Sequence, residues 1–318
     1  MRPLPSLLLT LCALALAGPP ARADGDAGAA RTLRSGANAL QVSVEGVSDP
    51  ERAALLQRWL AECADAALTA FGRYPLRNAQ VRIREIDSRD PSPVPWGQTR
   101  RDDGVAVLLY VRRDASLAQL RGDWTAVHEL SHLFHPYLGR EGRWMAEGLA
   151  SYYQNVLRAR AGLLSQDQAW RALDAGFGRG RRLGPGAPLE ALGRGGTMRV
   201  YWAGAAYWLE ADLALRREHG LDLDTVLSRY ARCCLDAADA DADAVSPRDF
   251  AAELDRLGGD GVFLRLYRRY ASSREFPDLG VAYAELGLEA DAGGLGYSPR
   301  ADAQKLRNAI MGSRKAAH

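Results

Sequence analysis

The stretch TAVHELSHLFH, residues 125–135, decides how this sequence is interpreted, because it holds three of the five histidines of the chain. On a helix, His128 and His132 lie on one face, a turn apart, and can offer two imidazoles to one metal ion. Glu129 follows the first histidine, where its carboxylate can take a proton from a water without occupying a metal position. The HExxH spacing therefore predicts a hydrolytic zinc site, and two partly exposed histidines on a surface helix are the structural alternative.

A catalytic zinc site needs a third protein ligand and one open position. The longer spacing HExxHxxGxxH does not apply, because His135 and Leu138 stand where it requires glycine and histidine. The best candidate is Glu147 in RWMAEGLASYY (143–153), since a short turn lets this second helix fold back towards the histidines. Glu141, in the connecting turn, is the weaker alternative.

His135 is expected to support the site rather than to ligate the metal. It lies three residues after His132, rotated off the shared face, and Pro136 ends the helix. A capping or hydrogen-bonding role fits that position. Gly148, next to Glu147, is expected to permit close helix packing. The structural alternative for Glu147 is an acidic residue in the first turn of a helix, where the helix dipole favours a negative charge.

The sequence HELSH followed by RWMAEGLASYYQ resembles the gluzincins, thermolysin-like metallopeptidases whose third ligand is a glutamate in a W-x-x-E-G context. The segment MRVYWAGAAYWLEADLALRREHGLDLDTVL (198–227) is similar to the Y-x-K-G segment of the glycyl aminopeptidase family and of the related membrane alanyl aminopeptidases. The likeness covers about residues 104–290 and is most specific over 128–153. It thus includes both candidate site helices.

The resemblance implies an α+β fold, a thermolysin-like metallopeptidase domain with a small mixed sheet packed on a mostly helical second half. The implied cofactor is one Zn²⁺ per chain, held by His128, His132 and Glu147, with Glu129 as general base. Tyr201 would donate a hydrogen bond to the oxyanion that forms when water adds to the scissile carbonyl. The alternative for Tyr201 is a core position, because it opens an aromatic stripe at helical spacing.

Several residues depart from the family pattern. Ala203 replaces the lysine of Y-x-K-G, and Ser151 stands where thermolysin-like sites carry an aspartate that orients a histidine. Another group must then hold that histidine tautomer. No GxMEN-like segment precedes the HExxH helix to grip a free amino group, and we expect no counterpart of the family's PDZ and N-terminal β-domains. Exopeptidase activity is therefore not supported, although the sequence does not decide between endopeptidase and aminopeptidase.

The order of predicted elements agrees with an α+β domain. Strand patterns occur at 39–47, 79–87 and 104–111, with a capped helix at 48–72. The last strand is expected to be the edge strand of the substrate cleft, able to pair with an extended peptide. The predicted helices of the second half lie at 116–134, 143–161, 165–176, 198–218, 222–235, 246–257 and 261–272.

The chain divides into four predicted parts, which are a signal peptide (1–23), an N-terminal α/β part (24–115), a helical part (116–290) and a weakly patterned tail that is expected to be disordered (291–318). The first part has a basic residue, an apolar run and the ending Ala21-Arg22-Ala23, which is typical of a cleaved secretory signal. Residues 24–38 are small and polar and are expected to be a loose lead-in. A secreted or periplasmic protein without a membrane span is therefore expected.

The charge balance narrows the classes of binding partner, and the cysteine content limits the possible disulfides. Removing residues 1–23 takes two arginines from 41 basic residues and leaves 39, equal to the 39 acidic residues. A neutral chain gives no electrostatic reason to bind nucleic acid.

Cys63 is expected to form a disulfide with Cys233 or Cys234, or else all three cysteines are expected to be free thiols. Adjacent cysteines rarely bridge each other.

These observations together predict an exported zinc metallopeptidase that hydrolyses peptide bonds in a peptide or protein substrate. The alternative is a catalytically weak zinc- or peptide-binding module of the same fold in the cell envelope. The intact Glu129 favours the enzyme, because a site that only binds has no chemical need of that carboxylate.

Overall fold

The computed structural model describes residues 30–102, 104–193, 195–235, 244–291 and 293–314. The expected signal peptide, residues 1–23, lies outside this part of the chain. Among the described residues, no helix has the length and apolar character that crossing a membrane requires.

The N-terminal part forms a mixed five-stranded sheet with the strand order β1-β2-β3-β5-β4. The strands are β1 (Ala30–Ser35), β2 (Asn38–Glu45), β3 (Asn78–Ile86), β4 (Trp96–Arg100) and β5 (Ala106–Arg112). The three central strands are parallel, and β1 and β4 are antiparallel edge strands. One face of the sheet is fully buried, as at Val42, Val81 and Val107. This alternation fits strands that are packed on one side only.

The other main elements of the described chain are eleven α-helices and a hairpin. The helices are α1 (Pro50–Leu68), α2 (Leu117–Gly122), α3 (Thr125–Ser131), α4 (Arg143–Arg160), α5 (Gln166–Arg181), α6 (Thr197–His219), α7 (Leu223–Cys233), α8 (Pro247–Leu254), α9 (Val262–Ala271), α10 (Gly280–Leu286) and α11 (Ala301–Met311). The hairpin strands are β6 (Leu288–Asp291) and β7 (Gly294–Tyr297). The expected α+β class is confirmed.

The predicted helix at 116–134 is broken in two. Asp123 has extended backbone angles and ends α2, and its side chain accepts a hydrogen bond from the Thr125 backbone at 2.7 Å. The carboxylate thereby satisfies an amide at the start of α3. The prediction of one continuous helix is therefore wrong, while His128 and His132 stay one turn apart at the end of α3.

The prediction that 104–111 forms the cleft edge is wrong, because β5 lies inside the sheet between β3 and β4. The edge is β4, in a stretch that the sequence indicated as a loop. Its helix-facing residues are Gly97 and Thr99, which pair with the buried Leu109 and Val107. Such small residues leave no apolar alternation to detect.

Two segments near the ends of the described part of the chain are also more ordered than expected. Residues 30–35, within the expected lead-in, form β1, and the expected disordered tail contains β7 and α11. The tail is tied to the end of α4, because Arg160 Nε donates to Ile310 O at 2.7 Å and Arg314 N donates to Arg160 O at 3.0 Å. Long-range hydrogen bonds therefore order a segment whose sequence shows only weak periodicity.

The cysteine pairing is a further correction, because Cys233 and Cys234 bridge each other. Helix α7 ends at Cys233 and Cys234 leaves helical geometry, with φ −134° and ψ −16°. Cys63 is free and buried in α1, where burial raises the pKa of its thiol to about 12. Both expected arrangements, a bridge to Cys63 and three free thiols, are therefore wrong.

The helical part is built around the crossing of α4 and α6, whose backbones touch at Gly148 and Gly204. A Cβ on Gly148 would lie 2.3 Å from Gly204 C, and one on Gly204 would lie 1.9 Å from Trp144 O. Trp208 Nε1 donates to Met145 O at 2.8 Å across the same crossing. The close packing expected at Gly148 is therefore present, and only glycine fits at both positions.

We predict that Gly204→Ala lowers the free energy of unfolding by about 2–3 kcal/mol, because the new methyl group forces the two helices apart. Urea unfolding would measure the change. The matched control is Gly178→Ala in α5, where the added Cβ meets only Arg182 Nη1 at 3.8 Å. There, better helix propensity should raise stability by up to about 1 kcal/mol. Equal effects at the two glycines would contradict this account of the crossing.

Candidate metal centre

The three residues that the sequence suggests as metal ligands converge in the structure. Helix α4 folds back on α3, so that Glu147 Oε2 lies 3.3 Å from His128 Nε2 and 3.6 Å from His132 Nε2. Zinc bonds of about 2.0–2.1 Å at tetrahedral angles separate ligand atoms by about 3.3 Å. The donor set therefore fits a zinc ion, with one position left for water or substrate.

Both histidines are oriented with Nε2 towards the common point. His128 Nδ1 donates to Gln154 Oε1 at 2.8 Å, so Gln154 takes the role that Ser151 cannot fill. His135 Nδ1 donates to Pro136 O at 2.6 Å, which leaves His135 Nε2 as an acceptor for His132 Nδ1 at 3.0 Å. In both rings Nδ1 is the nitrogen that these contacts engage, so a metal that displaces the proton from Nε2 would find its lone pair facing the common point.

The structure places His135 behind His132, not beside Glu147, as expected of a supporting residue. Burial, aided by the charges of His132 and Arg101, lowers the pKa of His135 well below its usual value. A neutral ring is the form that can accept the hydrogen bond from His132. Arg101 fixes this segment further, because its Nη2 donates to His132 O at 2.6 Å and to His135 O at 2.7 Å.

Glu147 is held as a carboxylate. Burial opposes its ionisation, but the hydrogen bonds and charges of His128 and His132 outweigh burial and hold the pKa of Glu147 well below its usual range. Burial also acts against the charged form of His128, yet the bond to Glu147 and the charge of Glu129 raise the pKa of His128. The anionic ligand and the two imidazoles therefore form one electrostatic unit.

Glu129 lies between α3 and the edge strand. Thr99 Oγ1 donates to Glu129 Oε2 at 3.0 Å, and a Cβ on Gly97 would lie 2.7 Å from Glu129 Cγ. The strand thus packs directly on the glutamate. Glu129, His128 and His132 offer ligand-type atoms within 4.8 Å of one another, so the carboxylate borders the candidate ion position.

Tyr201 is in the site rather than in the core. Its ring stacks on His128, with centroids 5.7 Å apart and planes 8° from parallel. Burial and the nearby Glu147 raise the pKa of Tyr201, so its hydroxyl remains a proton donor. Tyr207 and Trp208, which the sequence assigns to packing, are fully buried.

The site opens into a cleft of about 850 Å³. Residues 97–102 line one wall, and the start of α4 with Tyr201 lines the other. Glu141, the weaker candidate ligand, lines a neighbouring depression and not this cleft. The residues that sequence reasoning missed are Gly97, Thr99 and Gln154.

Comparisons with known proteins agree with this geometry. Residues 134–186, which include Glu147 but begin after His132, match the model of the M61 glycyl aminopeptidase family. The chain is also similar to the solved structure of an aminopeptidase N family protein from Idiomarina loihiensis, with a TM-score of 0.57 and 14% sequence identity. The chain has the fold of that protein. The resemblance to gluzincins is therefore confirmed at the level of the fold.

The similarity covers 86% of this chain and 52% of the Idiomarina loihiensis protein, so the chain spans about half the length of that structure. An M1 zinc metallopeptidase from Deinococcus radiodurans matches with a TM-score of 0.48 and 18% identity, over 79% of this chain and 53% of its own. No curated protein sequence matches the chain significantly.

We predict that Glu147→Ala weakens zinc binding at least about 100-fold, because it removes the only anionic donor from the converging set. Zinc titration against a competing chelator would measure the affinity. Glu141→Ala, outside the cleft, should retain the affinity of the unchanged protein. Full affinity in Glu147→Ala would mean that the third ligand lies elsewhere, and His135 would be tested next.

Proposed function

We propose that this protein is a zinc-dependent peptidase, in which His128, His132 and Glu147 hold the ion. The observation that carries the proposal is the convergence of these three donors beside Glu129, at the floor of a cleft bordered by an edge strand. A zinc ion held there would lower the pKa of a water and polarise the scissile carbonyl.

Glu129 is the general base of the proposed reaction. Its carboxylate accepts a proton from the attacking water and passes it to the nitrogen of the departing amine. The hydrogen bond from Thr99 Oγ1 occupies one side of Oε2 and fixes the direction of the carboxylate. A base held this way needs little reorganisation during the reaction.

Tyr201 stabilises the charge that develops on the carbonyl oxygen. Its hydroxyl is positioned by the stacking on His128, and its raised pKa keeps the proton on the phenol. A donor placed where charge develops contributes more to the transition state than to the bound substrate. The same hydroxyl lies close to Arg143 and Glu147, which both influence its ionisation.

The substrate binds as an added strand on β4. This strand pairs with β5 on one side only, and Gly97 to Arg101 line the cleft on the other side. An extended peptide can therefore bind by backbone hydrogen bonds, which read little side-chain identity. Such a site fits cleavage within a chain, and export of the protein by residues 1–23 would bring it to extracellular or periplasmic peptides.

The general base is tested with Glu129→Gln. We expect this variant to keep zinc and to lose at least about 100-fold in cleavage of casein or of a quenched fluorogenic peptide. Removal of zinc by a chelator should abolish the activity of the unchanged protein, and added zinc should restore it. Glu141→Gln is the matched control and should keep both zinc and activity.

Two results would contradict the mechanism. Equal cleavage by the unchanged protein and Glu129→Gln, both loaded with zinc, would show that Glu129 is not the base. Zinc binding without cleavage of any peptide would instead support the weak binding module.

The contact between β4 and α3 gives a second test of the role of Glu129 as the general base. Gly97→Ala places a methyl group against Glu129 Cγ and Thr125 Cγ2, at 2.7 and 2.8 Å. We expect about tenfold or greater loss of kcat/KM with zinc content unchanged, because the base is displaced and the metal ligands are not. Gly122→Ala, which adds a methyl group in open space, should leave both quantities unchanged. Zinc loss in Gly97→Ala would show that β4 supports the ligands instead.

A further inference from the structure

Arginines outnumber carboxylates in the lining of the cleft. Its lining includes four arginines, which are Arg100, Arg101, Arg140 and Arg143. The carboxylates in the same lining are Asp102, Glu129 and Glu147. The proposed zinc ion would bring two positive charges, which offset those of Glu129 and Glu147. The positive charge that remains for a substrate depends on the contacts that each arginine makes.

Two of the four arginines are committed to the protein. Arg100 pairs with Asp102 through two hydrogen bonds, so this pair adds no net charge. Arg101 is half-buried, and its guanidinium donates to the carbonyls of His132 and His135. Neither is placed to receive an anionic group from a substrate.

Arg140 and Arg143 are different, because the guanidinium groups of both lie near Gly193 in the lining of the cleft. Arg143 Nη1 donates to Gly193 O at 2.8 Å, and Arg143 Nε lies 3.6 Å from Glu147 Oε1, next to the reacting centre. Arg140 is exposed, and its Nη2 would lie 3.6 Å from a Cβ added to Gly193. Both guanidinium groups thus meet the cleft at Gly193.

No carboxylate in the cleft opposes these two arginines apart from Glu147, among the residues that the structure describes. Glu141 and Glu190 line the adjacent depression together with Arg140 but do not line the cleft. Two guanidinium groups converging on one opening are suited to a carboxylate, which accepts charge-assisted hydrogen bonds. They would repel the ammonium group of a peptide N-terminus.

We propose that Arg140 and Arg143 form a carboxylate-binding subsite, so that the cleft selects peptides with a negative charge near the scissile bond. This inference rests on the proposed peptidase function, whose site it extends. The carboxylate belongs either to an aspartate or glutamate side chain or to the C-terminus of the peptide. Both sources present the same chemistry to the two arginines.

Binding to zinc-loaded Glu129→Gln tests the subsite independently of turnover. Fluorescence anisotropy would compare a neutral amidated peptide with versions that carry one glutamate at successive positions, one lysine at the same positions, or a free C-terminal carboxylate. We expect a carboxylate near the cleft to tighten binding about tenfold, since hydrogen bonds to charged groups contribute more than neutral ones. The lysine peptides should bind more weakly than the neutral one.

Arginine variants assign the effect to the two residues. In Arg140→Gln and Arg143→Gln, the ratio of anionic to neutral peptide affinity should fall towards one, measured within each variant at equal zinc content. Arg140→Glu should reverse the order and favour lysine peptides, a result that misfolding cannot produce. The matched control is Arg34→Gln on β1, at the opposite edge of the sheet, which should keep the original ratio.

The outcomes separate the two proposals. Preference for internal glutamate identifies a side-chain subsite, and preference for the free carboxylate alone identifies a C-terminal one. A ratio near one in the parent, or a ratio that both arginine variants leave unchanged, overturns the subsite. Failure of the zinc-loaded, unchanged protein to cleave both the neutral and the anionic peptides overturns the peptidase function but leaves the binding ratios to decide the subsite.

Discussion

The contact between Gly148 and Gly204 is the constraint on which the site depends. Glu147 precedes the first glycine by one residue, and Tyr201 precedes the second by three, so the crossing brings the proposed metal ligand and the proposed proton donor together. A larger side chain at either glycine would separate α4 from α6. The W-x-x-E-G and Y-x-K-G patterns thus share a physical origin, since each glycine is where one helix backbone meets the other.

The second constraint is the support behind the histidines. Gln154 and the pair of His135 with Pro136 O set which ring nitrogen points away from Glu147. Glu147 then meets two imidazoles whose Nε2 atoms face it. Such preorganisation means that little of the free energy of metal binding is used to order the ligands.

Sequence reasoning predicted that His128 and His132 lie one turn apart, because helical spacing is local. It also predicted that Glu147 lies near His128, because a short turn between two helices leaves few geometries, and the two side chains are 3.3 Å apart. It missed β4, since Gly97 and Thr99 face α3 and not an apolar core. It missed the Cys233 to Cys234 bridge because that depends on how one residue leaves a helix. Strand register and the geometry at a helix end are set by tertiary contacts, and the periodicity of the sequence contains no information about those contacts.

The tie between the end of α4 and α11 has a consequence for the order in which the site matures. Arg160 lies at the end of the helix that carries Glu147, and its partner Ile310 O is 150 residues further along the chain. A contact of such separation forms late, after the entropy of closing a long loop has been overcome. During synthesis, the ligand helix therefore lacks this anchor until the segment around Ile310 has been made. The candidate metal site would gain this support only near the completion of folding.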